Sequence, residues 1–218
     1  MSSPDVLLAT HLCALQALHA ASLLDVENPV SVAEYLLSTT GLRTARVAEA
    51  LVCAPGGDEG FAAEVLSVYV NVFEFGRLSF VDSLRHLFLG ADFPSVAVKN
   101  NERGNGWRDA ALRKVATAFA RKFMDDYSMQ TTMAMGSPVP AFFRDERLLC
   151  QLVVSVLELN ALAIDSGCNN MPTAEDFVET CLDYLTSSPE SQPRQCLQDI
   201  YASVVDEPIQ SREFTLGF

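Results

Sequence analysis

At 218 residues and 23.8 kDa, with 49% hydrophobic side chains, the chain can bury a sizeable core and is too apolar to stay disordered. Fifteen Lys and Arg against 28 Asp and Glu leave a net charge of −13, which excludes a protein that tracks nucleic-acid phosphates over its surface. Cys13, Cys53, Cys150, Cys168, Cys181 and Cys196 are scattered, with no Cys-x-x-Cys pair and no histidine at ligand spacing. No metal site or cofactor is expected, and reduced intracellular thiols are.

Residues 6–24, VLLATHLCALQALHAASLL, are interrupted by His11, Gln16 and His19 and preceded by Asp5 instead of a basic residue. They read as a buried helix of a soluble, cytoplasmic protein, not as a signal peptide or membrane span. Asn28 and Pro29 form an N-cap and first-turn pair that opens a helix through Val32, Tyr35 and Leu36, closing at Thr39, Thr40 and Gly41. A short helix through Val47, Ala50 and Leu51 stops at Pro55. Apolar spacing predicts further helices through Val65, Leu66, Tyr69 and Phe73, and from about Ser79 through Leu84, Leu87 and Phe88.

Residues 99–108, KNNERGNGWR, read as an exposed loop, after which helical spacing resumes with Leu112, Val115, Phe119 and Phe123. A Met-rich link ends at Pro138 and Pro140, and the segment from about Arg144 to Ile164 is apolar on several faces, as a central buried helix would be. Thr173 and Asp176 form a capping box that opens a helix through Phe177, Cys181 and Leu185, and a last helix carries Leu197, Ile200, Tyr201 and Val204. No repeat and no long linker divides the chain, so the expectation is one all-α domain over residues 1–218. Charge is uneven: residues 99–122 carry +5, against −7 before them and −11 after.

The order of five segments carries a resemblance. These are the VSVAEYLLSTTGLRTARVAEAL stretch at 30–51, Phe73-Glu74-Phe75 followed by Ser83-Leu84-Arg85, FARKF at 119–123, VVSVLELN at 153–160, and CLQDIYASVVDEPI at 196–209. Together they resemble the Sec-Seven domain, the exchange module for ARF-type small GTPases. The resemblance implies a single right-handed array of about ten helices, with residues 99–109 as an inserted loop. It also implies an ARF-type GTPase as partner, and nucleotide exchange as the activity in place of covalent catalysis. The expected place is the cytoplasm, peripherally on Golgi or endosomal membranes, with recruitment by other domains or proteins.

The family's two exchange motifs match least. Its catalytic glutamate falls on Val96, followed by the extra residues before Ala110 rejoins the family's helix, and its Leu-Asn-Thr-Asp-Leu-His-Asn motif survives only as Leu159 and Asn160. The resemblance implies GTPase contact through Phe93, Pro94, Val96, Glu158, Asn160, Ile164 and Asp165. The extra loop contains Glu102, a carboxylate within a few residues of the vacant glutamate position, but Lys99, Arg103 and Arg108 beside it would attract nucleotide phosphates. The expectation is exchange that is weak or absent unless Glu102 is presented, with a non-catalytic GTPase-binding or scaffold domain, or a purely structural helical domain, as alternatives. The basic run Arg108, Arg113, Lys114, Arg121 and Lys122 reads as a solvated face, or alternatively as a surface for acidic lipid or an acidic GTPase.

Overall fold

The computed structural model describes residues 25, 27–38, 59–91, 105–131, 141–164, 171–185 and 192–209, and every regular element among them is helical. They form α1 (Pro29–Ser38), α2 (Glu59–Asn71), α3 (Phe80–Ala91), α4 (Asn105–Thr131), a 3-10 turn (Ala141–Arg144), α5 (Glu146–Ile164), α6 (Ala174–Leu185) and α7 (Gln192–Asp206). The helices expected within 6–24 and 47–51, and the link before Pro140, lie outside the described residues.

Local chemistry sets most helix starts. Val30 N–H donates to Asn28 Oδ1 at 3.0 Å ahead of Pro29, as the N-cap reading requires. Thr173 and Asp176 close their box reciprocally: Asp176 N–H donates to Thr173 Oγ1 at 3.2 Å, and Thr173 N–H to Asp176 Oδ2 at 3.1 Å. Ser79 and Asp82 repeat the device at α3, where Asp82 N–H donates to Ser79 Oγ at 3.2 Å. The Ser79 hydroxyl holds the Asp82 carboxyl below the usual carboxylate range, with help from Arg85. Asp145 accepts from Arg147 and Leu148 N–H at 2.9 and 3.1 Å, so α5 opens at Glu146.

Two boundaries differ from the expected ones. α2 ends at Asn71 and does not reach Phe73: Phe73 N–H turns back to the Val70 carbonyl at 3.1 Å, and Phe75 N–H is captured by Asp126 Oδ2 of α4 at 2.8 Å, with the Phe75 ring buried. α4 begins at Asn105, so the last part of the predicted 99–108 loop is its first turn. Once the Leu112, Val115 and Phe119 row is packed, extending a helix backward gains one hydrogen bond per residue, and no proline blocks it.

The core has an aromatic half and an aliphatic half. Phe75, Phe80, Phe119, Phe123 and Phe143 are all buried. Phe119 lies 5.1 Å from Phe75, and Phe80 lies 5.5 Å from Phe123 and 5.6 Å from Phe143, ring centroid to centroid. α5 supplies Leu149, Leu152, Val153, Val156 and Leu157 to the other half and packs against α4, α6 and α7. By length and composition alone α5 could cross a membrane, but these side chains are enclosed by the neighbouring helices.

Candidate functional site

The sequence points to the C-terminal ends of α3 and α5, and a set of long-range polar contacts ties both helices to the segment that follows α7. On α3, one Arg85 guanidinium nitrogen donates to the carbonyls of Ser203 and Glu207 at 2.6 and 2.5 Å, and the other to Asp82 Oδ1 at 2.7 Å. A cation against the last carbonyls of α7 satisfies acceptors the helix cannot satisfy itself and complements its dipole. Arg85 Nε is buried without a hydrogen-bond partner among the described residues.

On α5, the Asn160 amide Nδ2 donates to Ile209 carbonyl oxygen at 2.9 Å, while Ile209 N–H donates to Asn160 Oδ1 at 2.6 Å. Asn160 is 3% and Ile209 1% exposed, so both sides of this amide pairing are removed from water. The segment after α7 therefore runs from Arg85 on one helix to Asn160 on the other, as a clasp that sets α3 and α5 relative to each other.

The end of α3 has a further constraint. A Cβ at Gly90 would stand 2.5 Å from Phe73 Cε1, so this last turn closes onto the Phe73 ring only because position 90 has no side chain. Phe73 in turn stacks with Phe75 at 6.5 Å and meets His86 edge-on at 5.6 Å. On the back of α5, Tyr184 Oη lies 3.1 Å from Ser155 Oγ and 3.3 Å from Cys181 Sγ. Burial pushes the Tyr184 hydroxyl and the Cys181 thiol above their usual ranges, which keeps both neutral.

Of the residues singled out from sequence, Glu158 is exposed on α5, Ile164 is half-buried in its last turn beside the half-buried Ala161, Leu162 and Ala163, and Asn160 is interior. Phe93, Pro94, Val96, Glu102 and Asp165 lie outside the described residues. Arg85 and Ile209 carry positioning work that sequence reasoning used only as markers of resemblance. The available signal was a cation inside the apolar row Leu84, Leu87 and Phe88. Among the described residues no group of three His, Cys, Asp or Glu is placed to hold a metal ion.

A family model described as the Sec7 domain matches residues 11–209. The fold is similar to the crystal structure of the Sec7p catalytic domain, with a TM-score of 0.66 and 22% identity over 94% of this chain and 96% of that one. It is also similar to a chain in the structure of ARF1-GDP bound to a Sec7 domain complexed with Brefeldin A, with a TM-score of 0.63 and 20% identity over 91% of this chain and 86% of that one. No curated protein matches the chain.

Proposed function

Since the chain belongs to the Sec7 domain family, we propose that it binds an ARF-type small GTPase and acts on it as a guanine-nucleotide exchange module of reduced strength. The match of the family model over residues 11–209 carries the choice of an exchange module, and the similarity in fold to a chain of the ARF1-GDP complex supports the choice of partner; the reduced strength rests on valine at 96.

An exchange factor forms no covalent bond. It speeds nucleotide release by binding the nucleotide-free GTPase better than the loaded one. A carboxylate held about 4 Å from a phosphate, at an effective dielectric near 20, repels it by roughly 4 kcal/mol. At about 1.4 kcal/mol per tenfold, that amounts to about a thousandfold in release rate. Valine at 96 supplies none of this. The proposed contact surface comprises Phe93, Pro94 and Val96 after α3, with Glu158, Ile164 and Asp165 at the end of α5. Asn160 acts behind it as a positioning residue through Ile209.

A second reading, a GTPase-binding scaffold without exchange, is favoured by one observation. Where the family motif carries Thr-Asp-Leu-His, this chain has the half-buried apolar run Ala161-Leu162-Ala163-Ile164, which can grip a partner but offers it no charge. Release of fluorescent GDP from a panel of ARF-type GTPases separates the two. The expected result is slow but measurable release by the wild type and at least tenfold faster release by Val96→Glu. Stable binding with no acceleration by either protein selects the scaffold, and no binding in any nucleotide state overturns both. If wild-type release is slow, its abolition by Glu102→Lys would assign the residual activity to that loop carboxylate.

A further inference from the structure

We propose that the ridge formed by α4 and the start of α5 is a docking surface for an anionic lipid bilayer. Arg113, Arg121, Arg144 and Arg147 are exposed and Lys114 is half-buried. Arg113, Thr117 and Arg121 succeed one another at four-residue spacing along one face of α4. That face is set beside the start of α5: Thr117 Oγ1 lies 3.5 Å from Cys150 Sγ, and Arg121 Nε lies 2.9 Å from Glu146 Oε1. Arg147 follows Glu146 on α5 and Arg144 precedes it in the 3-10 turn, so Arg121 sits on the helix–helix seam and the other four cations lie close to it along the chain.

The other described cations are committed elsewhere or lie apart. Arg85 is bonded inside the clasp, Lys122 is bonded to Asp126, and Arg194 is held between Glu175 and Glu179. Arg77 is exposed in the turn before α3. On the ridge, Glu146 pairs with Arg121 and Asp145 caps α5, while Asp125 is exposed farther along α4. Among the described residues, no carboxylate forms an ion pair with Arg113, Lys114, Arg144 or Arg147.

Two features favour lipid over an acidic protein partner. A protein interface is organised around buried apolar or aromatic anchors. The large hydrophobics exposed among the described residues are Val30, Leu37, Val72, Leu78, Leu89 and Val205, none of them on α4 or α5. A headgroup layer needs no such anchor and is bound through charge alone. The molecule as a whole carries −13, so an anionic bilayer repels it on average and favours approach with this basic ridge foremost.

The test is independent of GTPase binding. The full chain is sedimented with vesicles of phosphatidylcholine alone and of phosphatidylcholine with about 30% phosphatidylserine, at about 0.1 M and 0.5 M salt. The expected result is binding to the anionic vesicles only, lost at the higher salt. Arg113→Glu/Lys114→Glu/Arg147→Glu lowers partitioning more than about tenfold, and Arg147→Glu alone lowers it several-fold. Arg77→Glu leaves it within twofold of wild type, with the circular dichroism of every variant unchanged. Absence of binding to anionic vesicles, equal binding to neutral ones, or equal loss in Arg77→Glu and Arg147→Glu would each overturn the proposal. Capture by immobilised polyglutamate without vesicle binding would overturn it in favour of an acidic protein partner.

Discussion

The aromatic cluster between α3, α4 and the 3-10 turn and the clasp between α3, α7 and α5 do the same job, fixing helices to one another, by opposite means. The cluster joins Phe75, Phe80, Phe119, Phe123 and Phe143 through close ring packing, a non-directional attraction that rewards volume more than identity. The clasp uses few atoms, but each has a required partner: Arg85 for two carbonyls, and Asn160 for both polar groups of Ile209. The first should tolerate substitutions that keep its volume, whereas the second should tolerate almost none.

The largest expected effect tests the cluster. Phe119→Ala should destabilise by about 3–5 kcal/mol, whereas Phe119→Leu, which refills most of the space, should cost well under half of that; urea unfolding of both variants checks the ratio. If Leu proved as damaging as Ala, ring geometry and not volume would hold this half together. Next comes the clasp. Asn160→Ala leaves buried groups of Ile209 unpaired and should cost about 1–3 kcal/mol. Asn160→Asp, nearly the same size, should cost at least as much, because its carboxylate cannot donate to the Ile209 carbonyl and is itself buried. A harmless Asn160→Asp, read by the same unfolding curves, would erase the contrast between the two regions.

The smallest effect concerns pH. Burial, with a lesser push from Asp199, raises the Cys196 thiol of α7 from 9.0 to about 11. The folded state holds this proton more tightly than the unfolded one, so the associated stability is fully present below pH 9 and is lost as pH rises through about 11. Thermal melting between these limits should decline less steeply in Cys196→Ala than in wild type. An identical decline would place the alkaline sensitivity elsewhere, on groups such as the half-buried Tyr184.

These contrasts also explain what could be read in advance. The helices and their caps were legible because their signals are local: Leu84, Leu87 and Phe88 repeat at helical spacing, and Thr173 names its partner three residues ahead. The contacts that stop α2 and build the clasp join residues 51, 49 and 118 positions apart, and no periodicity reports a polar pairing at such separations. At the candidate site, the resemblance made Asn160 a contact residue, whereas its amide is occupied inside the fold. Glu158 and Ile164 stand at the end of α5 with exposed and half-buried side chains, and sequence position alone did not separate their exposure from the burial of Asn160. The start of α4 was misjudged because glycines and asparagines signal turns locally, while helix propagation from a packed row is a tertiary effect.

The missing side chain at position 90 bears on any attempt to restore exchange by mutation. The stretch that would carry a glutamate at 96 departs from the last turn of α3, and that turn rests flush on the Phe73 ring. Even a methyl group there would require the Phe73 ring or the turn itself to give way. A variant meant to place charge at 96 should therefore keep glycine at residue 90.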